Sequence, residues 1–383
     1  MKRIAIIHFS PVERYPPTTN WLNFLADELP TGYKVRVYTT HPDRKIYEVF
    51  SSSNGGIKIE RCGVIRKELR APVRYWNYFL FYIKTLFSLV VGRPDVVLYY
   101  ETLSALPALI YKKLFRRGAC IFVHYHEYIT AKEYEEGIPL SRWPHKLEKK
   151  AYPEFSWISH TNEDRMRLFL NDNRNILPEQ AHILPNYPPK SWNIGQAENP
   201  ASPLKFVYVG ATDLDTMYTV EFAQWIMSQG EKVRWDIYSS NITEEAKDYL
   251  AALHTKNIRF MGSVEYSLLP DVLKNYKVGV VLYKGTTLNY VYNVPNKLFE
   301  YWACGLDVWF AEELKSSLRL VTDGVFPRIA AVNFRESRNL DENKNVDRTG
   351  LGYKSSPYYA ENVLPALLEA IRGCDAERKG VKQ

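Results

Sequence analysis

Short β-branched runs alternate with helix-length amphipathic segments along nearly the whole chain, and this alternation leaves few folds open. Residues 3–9 read as a strand, and Thr18 or Thr19 is placed to cap a helix in which Trp21, Leu25 and Leu29 recur every four residues. Strand patterns follow at 34–39 and 57–62, then a long aromatic helix over 73–91 that Gly92 and Pro94 end. A buried strand at 95–100, a helix at 103–115, a strand at 120–124, and then a helix, the strand 156–160 and a helix at 163–170 complete the first half. Strands separated by crossover helices pair in parallel and bury both faces, so the pattern predicts an α/β doubly wound sheet.

Residues 185–203 (PNYPPKSWNIGQAENPASP) are rich in Pro, Asn and Ser and read as a linker. A second series then begins: strands at 204–209, 233–238, 258–261, 278–283, 308–310 and 328–333, with helices at 216–228 and after Pro295. An amphipathic helix over 358–372 closes the chain. The length of 383 residues suits two domains. Two doubly wound domains are expected to face across a cleft. Ligands of such sheets bind at the carboxyl ends of strands, so the loops after Phe9, Tyr100, His124, Val209, Ser239 and Tyr283 are the ones to watch.

The net charge of +7 suits a phosphorylated ligand or an anionic membrane surface. No nucleic-acid motif, Lys/Arg run or zinc pattern is present, and Cys62, Cys120, Cys304 and Cys374 are too scattered to read as a disulfide framework or metal site. The first residues run straight into a strand, without the apolar core of a signal peptide. The longest apolar stretch, 79–91, is interrupted by Lys84 and falls short of the ~20 residues a membrane span needs. The expectation is a cytoplasmic protein, soluble or peripheral on the inner membrane face.

The chemistry concentrates in residues 283–308, YKGTTLNYVYNVPNKLFEYWACGLDV. Pro295 sits where a first-turn helix proline belongs, and the exposed N–H groups of a helix start make an anion site. Lys297 lies in that first turn, where a cation is unfavourable by roughly 0.3–1 kcal/mol unless it serves a ligand. Glu300, three residues on, shares its face, so an amine for phosphate and a carboxylate for a ribose diol stand together. The competing account is a solvated surface pair, but the Asn293, Pro295 and Asn296 surroundings favour the ligand.

The block NVPNKLFEYWACGLDV resembles the donor-binding segment of GT-B-fold glycosyltransferases, particularly family 4-like retaining enzymes. Supporting pieces occur in the family's order: RPDVVLYY, LPALIYKKLFRRGACIFVHYHEY, SHTNEDR, HILPNYPP, FVYVG and NIRFMGSV. The resemblance implies an acceptor-side Rossmann-like domain at 1–190, a donor-side one at 200–356, and a crossover helix and tail at 357–383 that closes back on the first domain. It implies transfer of a sugar from a nucleoside diphosphate sugar to a hydroxyl acceptor, in polysaccharide or glycolipid assembly, with retention, no metal and no cofactor beyond the co-substrate. It places Glu300 on the donor ribose and Pro295, Asn296 and Lys297 against the diphosphate. Three positions depart from the family pattern. Tyr292 stands where a second glutamate is frequent, SPVERYPPTTN replaces a Gly-rich turn, and Asp307 replaces a proline.

His126 and Glu127 resemble the family's Asp-x-His-Glu segment, whose histidine contacts the donor sugar; the alternative is a loop histidine satisfied by hydrogen bonds. With Lys297 and Glu300, His126 completes the expected catalytic set. Gly210 permits close backbone approach at a strand end, Gly262 and Val264 match the family's base seat, and Tyr283 walls the donor side. Arg14, Tyr15 and Glu127 are assigned to the acceptor. Residues 66–91 combine Lys67, Arg70 and Arg74 with aromatic residues and suggest peripheral membrane contact, against the alternative that the aromatics are core. Two further readings stay open: a GT-B-fold sugar-nucleotide epimerase, which requires additional acid/base groups, and a non-catalytic nucleotide-sugar-binding partner protein. A dehydrogenase is disfavoured because no GxGxxG follows a strand pattern.

Overall fold

The computed structural model describes residues 1–41, 56–64, 69–195, 203–344 and 350–374. The chain divides into two units. One comprises Met1–Asn186 with the returning segment Ala360–Gln383, and the other is Tyr187–Tyr359.

The first unit is built on strands β1 (Lys2–His8), β2 (Tyr33–His41), β3 (Ile57–Val64), β4 (Val96–Tyr100), β5 (Cys120–Tyr125), β6 (Trp157–His160) and β7 (Ala181–Ile183). All pair in parallel, in the order β3-β2-β1-β4-β5-β6-β7. The direction of winding reverses between β1 and β4, so the switch point lies where these two strands end. Both faces of the sheet are apolar because both are covered. Phe81 and Leu89 of the helix Ala71–Gly92 pack on one face, and Trp21, Leu22 and Leu25 of the helix Pro16–Glu28 on the other. The second face is completed by the C-terminal helix Ala360–Gly373, through Leu364, Leu367, Leu368 and Ile371. Lys2 Nζ donates to the carbonyl of Ile371 at 2.6 Å and so caps that helix at its negative end.

Several helix limits differ from the expectation for local reasons. Thr18 and Thr19 lie inside the first turn, since Pro16 and Pro17 already set helical φ and Tyr15 stands at the N-cap. Arg93, rather than Gly92, takes the left-handed C-cap conformation, at φ 47°. The helix over 103–115 breaks into a 3-10 turn, a short α-helix Ala105–Ile110 and a π-turn Tyr111–Phe115. Cys120 and Cys374 form a disulfide, tying β5 to the end of the C-terminal helix. This corrects the reading of scattered cysteines, which become neighbours only through the return of the chain.

The second unit carries β8 (Leu204–Val209), β9 (Val233–Tyr238), β10 (Ile258–Gly262), β11 (Val278–Val281), β12 (Asp307–Ala311), β13 (Val325–Phe326), β14 (Ile329–Val332) and β15 (Gly352–Tyr353). Six of these form a parallel sheet in the order β10-β9-β8-β11-β12-β14, while β13 and β15 pair separately. Here the winding reverses between β8 and β11. The expected linker contributes the 3-10 turn Lys190–Trp192, whose Trp192 is buried in this unit's core. Residues 196–202 of that linker lie outside the described residues.

Candidate functional site

The helix Asn296–Ala303 is held at the β8/β11 switch point by its own apolar face. Leu298, Phe299, Tyr301 and Trp302 are buried in the second unit's core. Tyr301 lies against Gly279 of β11, where any Cβ would fall within its ring. Its hydroxyl accepts the backbone N–H of Val209 at 3.0 Å, tying the helix to the end of β8. Pro295 is the N-cap, one position earlier than expected, with φ −66° and ψ 143° and no side-chain cap. Leu298 N–H donates back to the Pro295 carbonyl at 3.0 Å, and among the described residues the N–H groups of Asn296 and Lys297 are left to solvent or a ligand.

Lys297 rises from that first turn over Gly210. Its ammonium donates to the phenol oxygen of Tyr283 at 2.8 Å and lies 5.5 Å from the ring centre of Tyr208. Among the described residues it makes no ion pair. Burial works against its charge, but Tyr283 and Glu300 outweigh burial and hold its pKa above the usual lysine value. Gly210 adopts φ 136°, and a Cβ there would meet Lys297 Cε at 2.5 Å and Nζ at 2.7 Å. The glycine is thus required for a close approach. Glu300 is buried, and burial raises its carboxyl to about 7 against the opposing pull of Lys297 and a hydrogen bond from Tyr266. Tyr266 rests on the Trp192 ring, with centroids 4.6 Å apart. It follows Gly262, at φ 79°, and Val264, which packs on the core, so this loop reaches Glu300 through Tyr266. The structure accordingly brings Gly210, Tyr283 and Lys297 together and links Glu300 to the loop of Gly262 and Val264. Asn296 is half-buried beside them, and Tyr292 ends the short helix Leu288–Val291.

In the first unit the end of β5 carries His126 into an aromatic enclosure. Tyr100 stacks on its ring at 5.2 Å and 6°, Tyr15 at 5.3 Å and 27°, and His124 meets it edge-on at 4.7 Å. His8 lies 5.9 Å away, with Nδ1 2.8 Å from the carbonyl of Ser10. Burial lowers all three imidazoles: His8 to about 4, His124 to about 3 and His126 well below the ordinary value. The loop is pinned by Glu101, whose carboxylate accepts the backbone N–H groups of His126 at 2.6 Å and Glu127 at 3.3 Å. Glu101 itself sits at φ 60°, a strained conformation for a non-glycine residue. Burial first, and the nearby Glu127 second, raise its carboxyl to about 8. Of the acceptor-side candidates, Tyr15 is inside this enclosure, while Arg14 and Glu127 are exposed beside it. Sequence reasoning missed Glu101, His8, Tyr208 and Tyr266. Only Glu101 had a signal, its place directly after the β4 strand.

No protein-family model matches the sequence, and no curated protein sequence matches it. Solved structures do. The lipopolysaccharide outer-core galactosyltransferase WaaB matches with a TM-score of 0.58 and 11% identity over 98% of this chain and 99% of that one. HepE of Anabaena, solved with UDP and glucose, matches with a TM-score of 0.61 and 12% identity over 90% and 89%. The chain has the GT-B fold. A putative UDP-N-acetylglucosamine 2-epimerase from Listeria monocytogenes is equally similar to this GT-B chain, with a TM-score of 0.63 and 10% identity over 98% and 97%. Identities of this size establish the shared fold alone.

Proposed function

We propose that this GT-B chain is a glycosyltransferase that moves a sugar from a nucleoside diphosphate sugar to a hydroxyl of a glycan or lipid-linked acceptor. The observation that carries the reading is Lys297, a half-buried cation that makes no ion pair among the described residues, raised from a helix start without a side-chain cap and in close approach to Gly210. A diphosphate supplies the missing anion. Negative charge grows on the diphosphate as the anomeric C–O bond breaks and the acceptor oxygen bonds to the anomeric carbon, its hydroxyl proton passing to the departing diphosphate. Lys297 and the helix N-terminus stabilise that charge where it develops. Glu300 takes the ribose diol, while Tyr15 and His126 serve the sugar and acceptor side. Retention of configuration, catalysis without a metal, and work in cell-surface polysaccharide or glycolipid assembly at the inner membrane face belong to the same proposal.

A screen of nucleoside diphosphates and their sugars by thermal shift tests it. One is expected to raise the melting temperature, by the amount its concentration over Kd dictates. Lys297→Ala and Glu300→Ala are each expected to weaken that ligand by about ten-fold or more, roughly 1.4 kcal/mol. Stabilisation by none of them, or undiminished stabilisation of both variants, removes the donor assignment.

The epimerase is the second reading, and one observation favours it: His8, His124, His126 and the high-pKa Glu101 supply the acid/base groups that it requires. Incubating the chain with UDP-N-acetylglucosamine and no acceptor separates the two. A change of sugar configuration with the nucleotide retained indicates the epimerase. The non-catalytic reading predicts binding with neither product.

A further inference from the structure

The helix Ala71–Gly92 is apolar on two opposite sides. Phe81, Tyr82, Thr85 and Leu89 are buried on its inner side. On the outer side Trp76, Phe79, Ile83, Phe87 and Val91 recur at spacings of three and four, and are 58%, 52%, 50%, 68% and 63% exposed. A helix that is hydrophobic all round normally has neighbours on every side, and a stripe of this size on open surface marks an interaction site. The π-turn Tyr111–Phe115 packs beside this helix and adds Leu114 and Phe115, 70% and 52% exposed.

Charge decides what covers the stripe. Residues 69–94 and 105–118 contain no Asp or Glu, yet carry Arg70, Arg74, Lys84 and Arg93 in one segment and Lys112, Lys113, Arg116 and Arg117 in the other. At the Val91 end a recess lined by Arg3, Lys34 and Arg36 continues the basic surface. Of these cations, Arg116 pairs with Asp95 and Arg36 lies 3.6 Å from Glu60. A second copy of the chain docked through this face by two-fold symmetry would set cations against cations. An anionic bilayer matches both features. Apolar rings enter the acyl boundary, and lysine and arginine remain at the headgroups, where they are drawn to anionic lipid. Residues 66–68 of the segment singled out in the sequence lie outside the described residues.

We infer that the outer side of the helix Ala71–Gly92, together with Leu114 and Phe115, docks the protein on an anionic phospholipid surface. This deepens the acceptor side of the proposed function, since a lipid-linked acceptor lies in such a surface, but it stands on surface residues alone.

The test is co-sedimentation of the full chain with vesicles of phosphatidylcholine alone and of phosphatidylcholine with phosphatidylglycerol, at low and high salt. Binding to the anionic vesicles, weakened by salt, is expected. The double substitution Phe79→Ser with Phe87→Ser is expected to lower the partition coefficient by about ten-fold or more, and Lys84→Glu to lower it on anionic vesicles only. These side chains are exposed, so the variants should keep the parent melting temperature; Leu114→Ser is the second probe if the double variant does not. Equal binding of parent and variants, or no binding, overturns the inference. So does a stable dimer in light scattering that the Phe87→Ser substitution dissolves. Donor binding is measured on the same samples without vesicles. Its loss would sink the glycosyltransferase reading and leave this one standing, and the reverse holds equally.

Discussion

At position 210 an absent side chain carries more of the argument than many that are present. A methyl group there would occupy the space of Lys297 Cε and Nζ. The lysine tip is flexible and would swing away, so the change should move a charge more than it loosens the core. The φ of 136° adds backbone strain of about 1–3 kcal/mol. Gly210→Ala is therefore expected to weaken the best nucleoside diphosphate about ten-fold, read by calorimetric titration. In a Lys297→Ala background the same substitution should cost almost nothing further, because coupled residues do not add. Additive losses would mean that the glycine acts on something other than the lysine. The residues of this site were legible in unequal measure. Lys297 and Glu300 announced themselves because a cation in a first turn has no structural motive. Tyr266 and Tyr208 gave no sign, since tyrosines are common in this chain and only the fold decides which hydroxyl meets Glu300 or which ring faces an ammonium. His126 was found by its neighbours in sequence, whereas Glu101, which holds it, is linked to it only by the adjacency of β4 and β5.

Among the elements, the helix Pro139–Ala151 presents the sharpest energetic question. It buries Glu148 completely, and the hydroxyls of Tyr99 on β4 and Tyr125 on β5 donate to its Oε1 at 2.7 and 2.8 Å. Burial raises this carboxyl to about 7 from 4.5, with the phenol hydrogen bonds acting in the opposite direction. A pKa raised in the folded state contributes stability that is complete below the unfolded value and lost as pH climbs through the folded one. The window is thus pH 4.5 to 7, and the full shift corresponds to something on the order of 3 kcal/mol. Glu148→Gln keeps a neutral acceptor at all pH values. The melting temperature of the variant minus that of the parent should therefore rise between pH 5 and pH 8. Glu300 is shifted the same way but cancels in this difference, and Glu101, raised in small part by Glu148, cancels apart from that coupling. A flat difference across the window would show that the tyrosines already satisfy the ionised form. A helix before the strand at 156–160 was expected from the sequence, but without bounds. Its prolines at 139 and 144 and its run of charges hide its limits, whereas the strands β8 and β9 were read to the residue because their short, largely apolar runs are bounded sharply by turns.

On the scale of the whole molecule, chain order and core membership disagree. The segment from Ala360 belongs with Met1–Asn186, although 173 intervening residues build a core of their own. The amphipathic pattern of the last helix predicted an apolar partner and was right, but periodicity carries no address. Packing supplies it, as Leu367 is fully buried against the sheet of the first unit. Leu367→Ala removes a buried side chain at a cost of about 2–5 kcal/mol. The loss should fall on the unit built on β1 to β7, while a nucleoside diphosphate bound at Lys297 protects the unit built on β8 to β14. In differential scanning calorimetry the substitution is then expected to lower one transition and leave the other in place, and the ligand to raise the second alone. If mutation and ligand shift one common transition, the two cores melt as a single cooperative body. The C-terminal helix would then be stabilising the donor side as well as its own sheet, and ligand affinity itself would fall with Leu367 wherever unfolding competes with binding.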